Sequence, residues 1–134
     1  MRTVFWENNE LKMIDQRILP ARFEIVSYRS HKDVAFAITD MVVRGAPAIG
    51  AAAAFGLALA GYESASTSTS SLLADLEAAA AVLKASRPTA VNLAWAVDRL
   101  RMPVEHIPGW VSWQTLAPCA DDAACASSGR CPPI

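Results

Sequence analysis

Two short stretches carry residue types suited to holding an anion. Arg44-Gly45-Ala46-Pro47-Ala48 stands at the start of a helical run. A helix N-terminus presents N–H groups without intrahelical partners and a partial positive charge, so it attracts anions. Gly45 lets an anion approach the backbone, and Arg44 adds a bidentate, charged donor. The same residues also fit an ordinary turn between helices, with Arg44 paired to a nearby carboxylate. Ser86-Arg87-Pro88-Thr89 repeats the combination of an arginine and hydroxyls at a helix junction. A C-cap followed by an N-cap also explains it.

The elements that must position these stretches follow from periodicity. Thr3 to Glu7 is β-prone, Asn8-Asn9 suits a tight turn, and Leu11 to Ile14 resumes the apolar run, so residues 3–15 read as a β-hairpin. Phe23 to Tyr28 is a third strand candidate, with Phe23 and Ile25 on one face. Ser30-His31-Lys32-Asp33 has the spacing of a capping box and opens a helix expected to reach about Val43, with Val34, Ile38, Met41 and Val42 on its apolar face. His31, in its first turn, reads as solvated. Pro47 fits the first turn of the next helix, about Ala48 to Gly61, whose small residues suggest a central helix closely packed by its neighbours.

Ser64 to Ser71 is a polar loop, with Ser70 or Ser71 as the next N-cap. Leu72, Leu76, Ala79 and Leu83 mark the following helix, and Leu93, Ala96, Val97 and Leu100 the last, with Thr89 as its cap and Trp95 and Asp98 off the stripe. The fold class is therefore α+β: short N-terminal antiparallel strands followed by a helical bundle.

Other chemistries lack their residues. There is no G-x-S-x-G, no Walker loop and no G-x-G-x-x-G. His31 and His106 stand apart, and Cys119, Cys125 and Cys131 lie six residues apart with no CxxC pair, so no metal site is expected. Asp15 and Asp40 read as surface charge. Twelve Lys and Arg against thirteen Asp and Glu give a net charge of −1, which argues against a nucleic-acid partner. The uncharged run from Gly45 to Tyr62 is dominated by Ala and Gly, and the start of the chain has no apolar leader segment, so no membrane partner is expected and the cytoplasm is the default compartment. Charged residues make up only 19 %, leaving apolar surface for a partner or a further domain.

Three longer motifs carry a resemblance. Leu11-Lys12-Met13-Ile14-Asp15-Gln16-Arg17-Ile18-Leu19-Pro20 resembles the opening of the methylthioribose-1-phosphate isomerase family. Asp40 to Gly50, reading D-M-V-V-R-G-A-P-A-I-G, is similar to that family's signature, and Ser86 to Leu93, reading S-R-P-T-A-V-N-L, to a further segment of it. The resemblance covers about residues 1–101. Regulatory subunits of eukaryotic translation initiation factor 2B and ribose-1,5-bisphosphate isomerases share the fold; the Asp15-Gln16-Arg17 opening and the intact Ser86–Leu93 run favour the methylthioribose branch.

The resemblance implies an aldose–ketose isomerase of methionine salvage, acting on a phosphorylated sugar as a homodimer without metal or organic cofactor. It assigns substrate contacts to Arg44, Gly45, Ala46 and Arg87. It places the catalytic Cys and Asp in a Rossmann-like C-terminal domain that this sequence is expected to lack, so no catalytic residue is assigned here. Residues 1–102 are expected to form the N-terminal domain. Residues 103–134, with five of the eight prolines and all three cysteines, match nothing in the family's pattern and are expected to be a disordered tail. The alternative function is a non-catalytic interaction module of the initiation-factor type, or a fragment of a related ribose-1,5-bisphosphate isomerase.

Overall fold

The computed structural model describes residues 2–105, the side chains of 102–105 aside. The expected tail, with Cys119, Cys125 and Cys131, lies from residue 106 onward outside the described residues. Three antiparallel strands, β1 (Val4–Glu7), β2 (Glu10–Ile14) and β3 (Ile25–Tyr28), form a sheet in that order. Asn8 and Asn9 close the β1–β2 hairpin at φ 54° and 58°, the left-handed pair that a two-residue turn needs. Trp6 pairs with Leu11 and Val4 with Met13, while Leu11 also faces Tyr28 and Met13 faces Val26 across β3. Leu11 and Met13 are fully buried. The expected pairing of Phe23 with Ile25 on one strand face is corrected: β3 starts at Ile25, and both residues are about half exposed while Val26 and Tyr28 turn inward.

Four helices follow: α1 (His31–Thr39), α2 (Ala46–Glu63), α3 (Thr69–Ser86) and α4 (Val91–Glu105). α2 is the central element, packing on the other three helices and on β1 and β2. It is long and apolar enough to cross a membrane, but half of that stretch is buried within the fold. Ile49, Ala52, Ala53, Leu57, Leu59 and Ala60 join Val34, Ile38, Leu76, Leu83, Leu93 and Val97 in one core. Trp6 attaches the sheet to α2, its ring 5.9 Å from Phe55 and 5.7 Å from Tyr62.

Several boundaries differ from expectation, α2 among them, which runs Ala46–Glu63 rather than about Ala48 to Gly61. α1 ends at Thr39 rather than near Val43, because Met41 turns to φ 60° while Val42 and Val43 stay buried outside the helix. Met41, expected on the apolar face, is 43 % exposed, as is Leu100 of α4 at 42 %. Ser68, not Ser70 or Ser71, caps α3, accepting from the Ser71 N–H at 3.3 Å. Ala90 rather than Thr89 precedes α4, its carbonyl accepting from Ala94 N–H at 3.2 Å, and α4 continues through 103 to Glu105, past the expected boundary.

Candidate functional site

The first turn of α2 is open. Gly45 occupies the N-cap at φ 90°, ψ 133°, and no side chain among the described residues caps the turn. Its carbonyl accepts from the Ile49 N–H at 2.9 Å, which leaves the N–H groups of Ala46 and Ala48 without intrahelical partners; Pro47 has none. A φ of 90° with extended ψ is a backbone state that glycine alone adopts readily.

The α3–α4 junction lies opposite. Ser86 closes α3, its hydroxyl donating to Leu83 O at 2.6 Å, and the Arg87 carbonyl accepts from Ala90 N–H at 3.0 Å to make a tight turn around Pro88. Gly50 brings α2 and α4 together here. A methyl group in place of its α-hydrogen would stand 3.2 Å from Asn92 O. Beside this close approach lies a concavity of about 380 Å³ lined by Gly45, Ala46, Ile49, Arg87, Thr89 and Asn92 among others. An apolar groove of about 630 Å³ shares Ala46, Val91 and Asn92 with it and runs on past Pro47, Ala51 and Ala54 to Trp95.

Of the four residues singled out in the sequence, Gly45, Ala46 and Arg87 line one concavity, whereas Arg44 is exposed beside it and does not line it. Neither arginine has a carboxylate partner among the described residues, against the alternative in which Arg44 pairs with one. No carboxylate, histidine or cysteine lines the concavity among the described residues. Thr89, part of the Ser86–Thr89 stretch, lines it too, and Asn92 joins the site unforeseen, although it lies inside the quoted Ser86–Leu93 run.

Two polar residues depart from their sequence reading. Asp15 is 4 % exposed, not a surface charge. The Arg17 side chain grips it, Nε donating to Oδ1 at 2.9 Å and an Nη to Oδ2 at 2.6 Å, and the Arg17 backbone N–H donates to Oδ1 at 3.0 Å. The same guanidinium also contacts Asp40. The Arg17 hydrogen bonds hold the Asp15 carboxyl below its ordinary pKa, outweighing the upward pull of burial. His31 is not solvated: its ring faces the Glu63 carboxylate at the far end of α2. Burial pushes the Glu63 pKa up, but hydrogen bonds from His31 and Ser30 prevail and lower it. Asp75 anchors the polar loop, accepting from the Ser64 hydroxyl at 2.6 Å and the Ser66 hydroxyl at 2.7 Å.

The sequence pattern of the initiation factor 2 subunit family matches residues 42–112. The methylthioribose-1-phosphate isomerase of a Synechococcus species is 54 % identical over 99 residues, 74 % of this chain and 28 % of that protein. A putative methylthioribose-1-phosphate isomerase of Methanothermobacter thermautotrophicus is 54 % identical over 100 residues, 75 % of this chain and 29 % of that one. Among solved structures, the 5-methylthioribose 1-phosphate isomerase of Pyrococcus horikoshii superposes with a TM-score of 0.79 at 44 % identity, covering 85 % of this chain and 32 % of that chain. The delta subunit of translation initiation factor eIF-2B from A. fulgidus gives 0.72 at 41 % identity, covering 76 % and 30 %. The chain thus spans about three tenths of the length of the relatives it matches. With α2, α3, α4 and the open turn at Gly45 falling inside the family pattern's match, the chain belongs to the initiation factor 2 subunit family.

Proposed function

We propose that this chain forms the phosphate-binding portion of a methylthioribose-1-phosphate isomerase, which converts 5-methylthioribose 1-phosphate to 5-methylthioribulose 1-phosphate. One observation carries the reading: the N-terminus of α2 and Arg87, neither capped nor ion-paired by a side chain among the described residues, open into the same concavity. The Ala46 and Ala48 N–H groups supply donors and the helix supplies a partial positive charge for the phosphate. Arg87 adds a charge-assisted hydrogen bond, and Arg44, exposed at the rim, supplies a second positive charge.

The sugar is phosphorylated on its anomeric oxygen and cannot ring-open as a free aldose does. Moving a proton between C1 and C2 needs an acid or base within hydrogen-bond reach. The described residues lining the concavity include none, and His31 sits at the opposite end of α2, about 25 Å away along the helix. The described residues therefore hold substrate and supply no group for the proton transfer at the concavity. Binding without contacts made in the transition state does not raise turnover.

The test is to titrate the purified chain with 5-methylthioribose 1-phosphate and record two NMR signals, the Ala46 and Ala48 amides and the ketose product. Shifted amides without ketose are expected. Unshifted amides refute the binding role, and ketose formed by this chain refutes the division of labour.

A further inference from the structure

We propose that Arg17, by bridging Asp15 and Asp40, is a positioning residue that sets the geometry of the anion site from outside it. The inference rests on the reading of the Gly45–Arg87 concavity as an anion site and adds the device that holds it in shape.

Both arms of the concavity hang from the C-terminal end of α1. One arm is the segment from Asp40 to Arg44 that delivers Gly45 to the start of α2. The other is the turn after Ser86, tied to α1 by the Thr39 hydroxyl, which lies 3.2 Å from Ser86 O and 3.0 Å from Ala35 O. The end of α1 is in turn fixed to the sheet at adjacent points. The Gln16 N–H donates to Val42 O at 2.9 Å, and Arg17 contacts Asp40 while gripping Asp15 with two of its nitrogens. Asp15 itself is held at the end of β2 by its N–H, which donates to Glu24 O at 3.0 Å.

A connection between a strand and a helix needs no buried charge. Taking the Asp15 carboxylate out of water is costly, and an apolar contact of the same size would serve stability as well or better. What a planar guanidinium adds is direction: its fork fixes two carboxylates in one plane and at one separation, which neither an apolar side chain nor a lysine does. The segment it fixes includes Met41 at φ 60°, a state that persists only where its surroundings determine it. Releasing Asp40 lets Gly45 and the Ser86 turn drift relative to each other, so the Ala46 N–H and Arg87 no longer converge on one phosphate.

The experiment uses the 134-residue chain and inorganic phosphate, followed through the Ala46 and Ala48 amide shifts. Asp40→Asn and Arg17→Lys are compared with Asp40→Glu and with Leu76→Ala. Leu76 is a buried residue of α3 that lines neither the concavity nor the bridge, so its variant reports loss of stability alone. The expected result is phosphate binding weakened about tenfold in Asp40→Asn and Arg17→Lys, as misplaced contacts give. Affinity should be partly recovered in Asp40→Glu and unchanged in Leu76→Ala. Wild-type affinity in both Asp40→Asn and Arg17→Lys overturns the positioning role and leaves the anion site standing. Equal weakening in Leu76→Ala reduces the effect to stability and also overturns it. Wild-type chain that leaves the Ala46 and Ala48 amides unshifted overturns the anion site and this inference with it.

Discussion

Gly56 lies against Leu83 at the crossing of α2 and α3, so closely that a methyl group on its α-carbon would stand 3.0 Å from Leu83 Cδ2. Val34 Cγ1 of α1 closes the other side at 3.1 Å. Leu83 and Val34 are fully buried, so any shift that makes room must be taken up inside the core. The missing side chain is thus what allows three helices to meet at one point of the core.

Gly56→Ala is therefore expected to destabilise the chain, although alanine is the better helix former. Overpacking costs about 1–3 kcal/mol, against roughly 1 kcal/mol gained in helix propensity. Leu83→Ala alone costs about 2–5 kcal/mol. In the double variant the cavity at residue 83 accepts the new methyl, so the two losses should not add. Urea midpoints of the four proteins check this; strict additivity would show that the two sites do not touch.

Arg87→Ala and Arg44→Ala are expected to differ. Arg87 lines the concavity, so its loss should weaken phosphate binding roughly ten- to hundred-fold, the worth of one charge-assisted contact. Arg44 stands exposed at the rim and should cost less, with an effect that fades as salt is added. Titrations with inorganic phosphate at two ionic strengths separate the two. Equal, salt-independent losses would place Arg44 inside the site with Arg87.

What the sequence discloses here is mostly local. Asn8-Asn9 names its own turn, and the spacing of Leu72, Leu76, Ala79 and Leu83 finds the buried face of α3, because each signal lies within a few residues of its effect. The proposed anion site at Gly45 and Arg87 starts from the same kind of signal, two helix junctions each carrying an arginine, which the fold sets around one concavity. The overextended α1 has a physical cause. Val42 keeps helical spacing with Val34 and Ile38, yet reaches the core by way of a reversal at Met41 that no glycine announces. The burial of Asp15 is hidden for another reason. Part of its environment, Asp40 bound to the shared Arg17, lies 23 residues from Arg17. His31 and Glu63 are separated by 32. Only the assembled fold brings these charges together.

Asp15 makes an acid-sensitive contribution to stability. Its carboxyl is held by Arg17 below the ordinary value, so the contribution is complete above about pH 4 and is lost as pH falls through the lower folded value. Glu63 and Asp75 are shifted in the same direction and share this acid limb. Asp15→Asn should flatten the limb and lower stability at neutral pH. The Arg17 side chain is 41 % exposed, so water takes up part of the loss and about 1–3 kcal/mol is expected rather than the full cost of a broken buried pair. Urea midpoints between pH 3 and pH 7 measure it. An unchanged acid limb in Asp15→Asn would assign the sensitivity to the other carboxylates.

The end of α1 offers a test of backbone conformation separated from side-chain packing. Met41 N–H donates to Ile38 O at 3.3 Å and Val42 N–H to Ala37 O at 3.0 Å, the paired bonds of a Schellman cap with Met41 at its left-handed position. That position ordinarily belongs to glycine, because a Cβ there crowds the following carbonyl at about 1–2 kcal/mol. Met41→Gly and Met41→Ala both remove the partly exposed side chain, so the loss of its packing cancels in their comparison. Glycine should then be the more stable of the two at residue 41 by about 1 kcal/mol. At Ala78, exposed within α3, the order should reverse, with Ala78→Gly losing about 1 kcal/mol. The reversal is the decisive outcome, since only a left-handed residue at 41 prefers glycine over alanine. The same order at both positions would mean that Met41 is helical and that α1 runs on toward Val43.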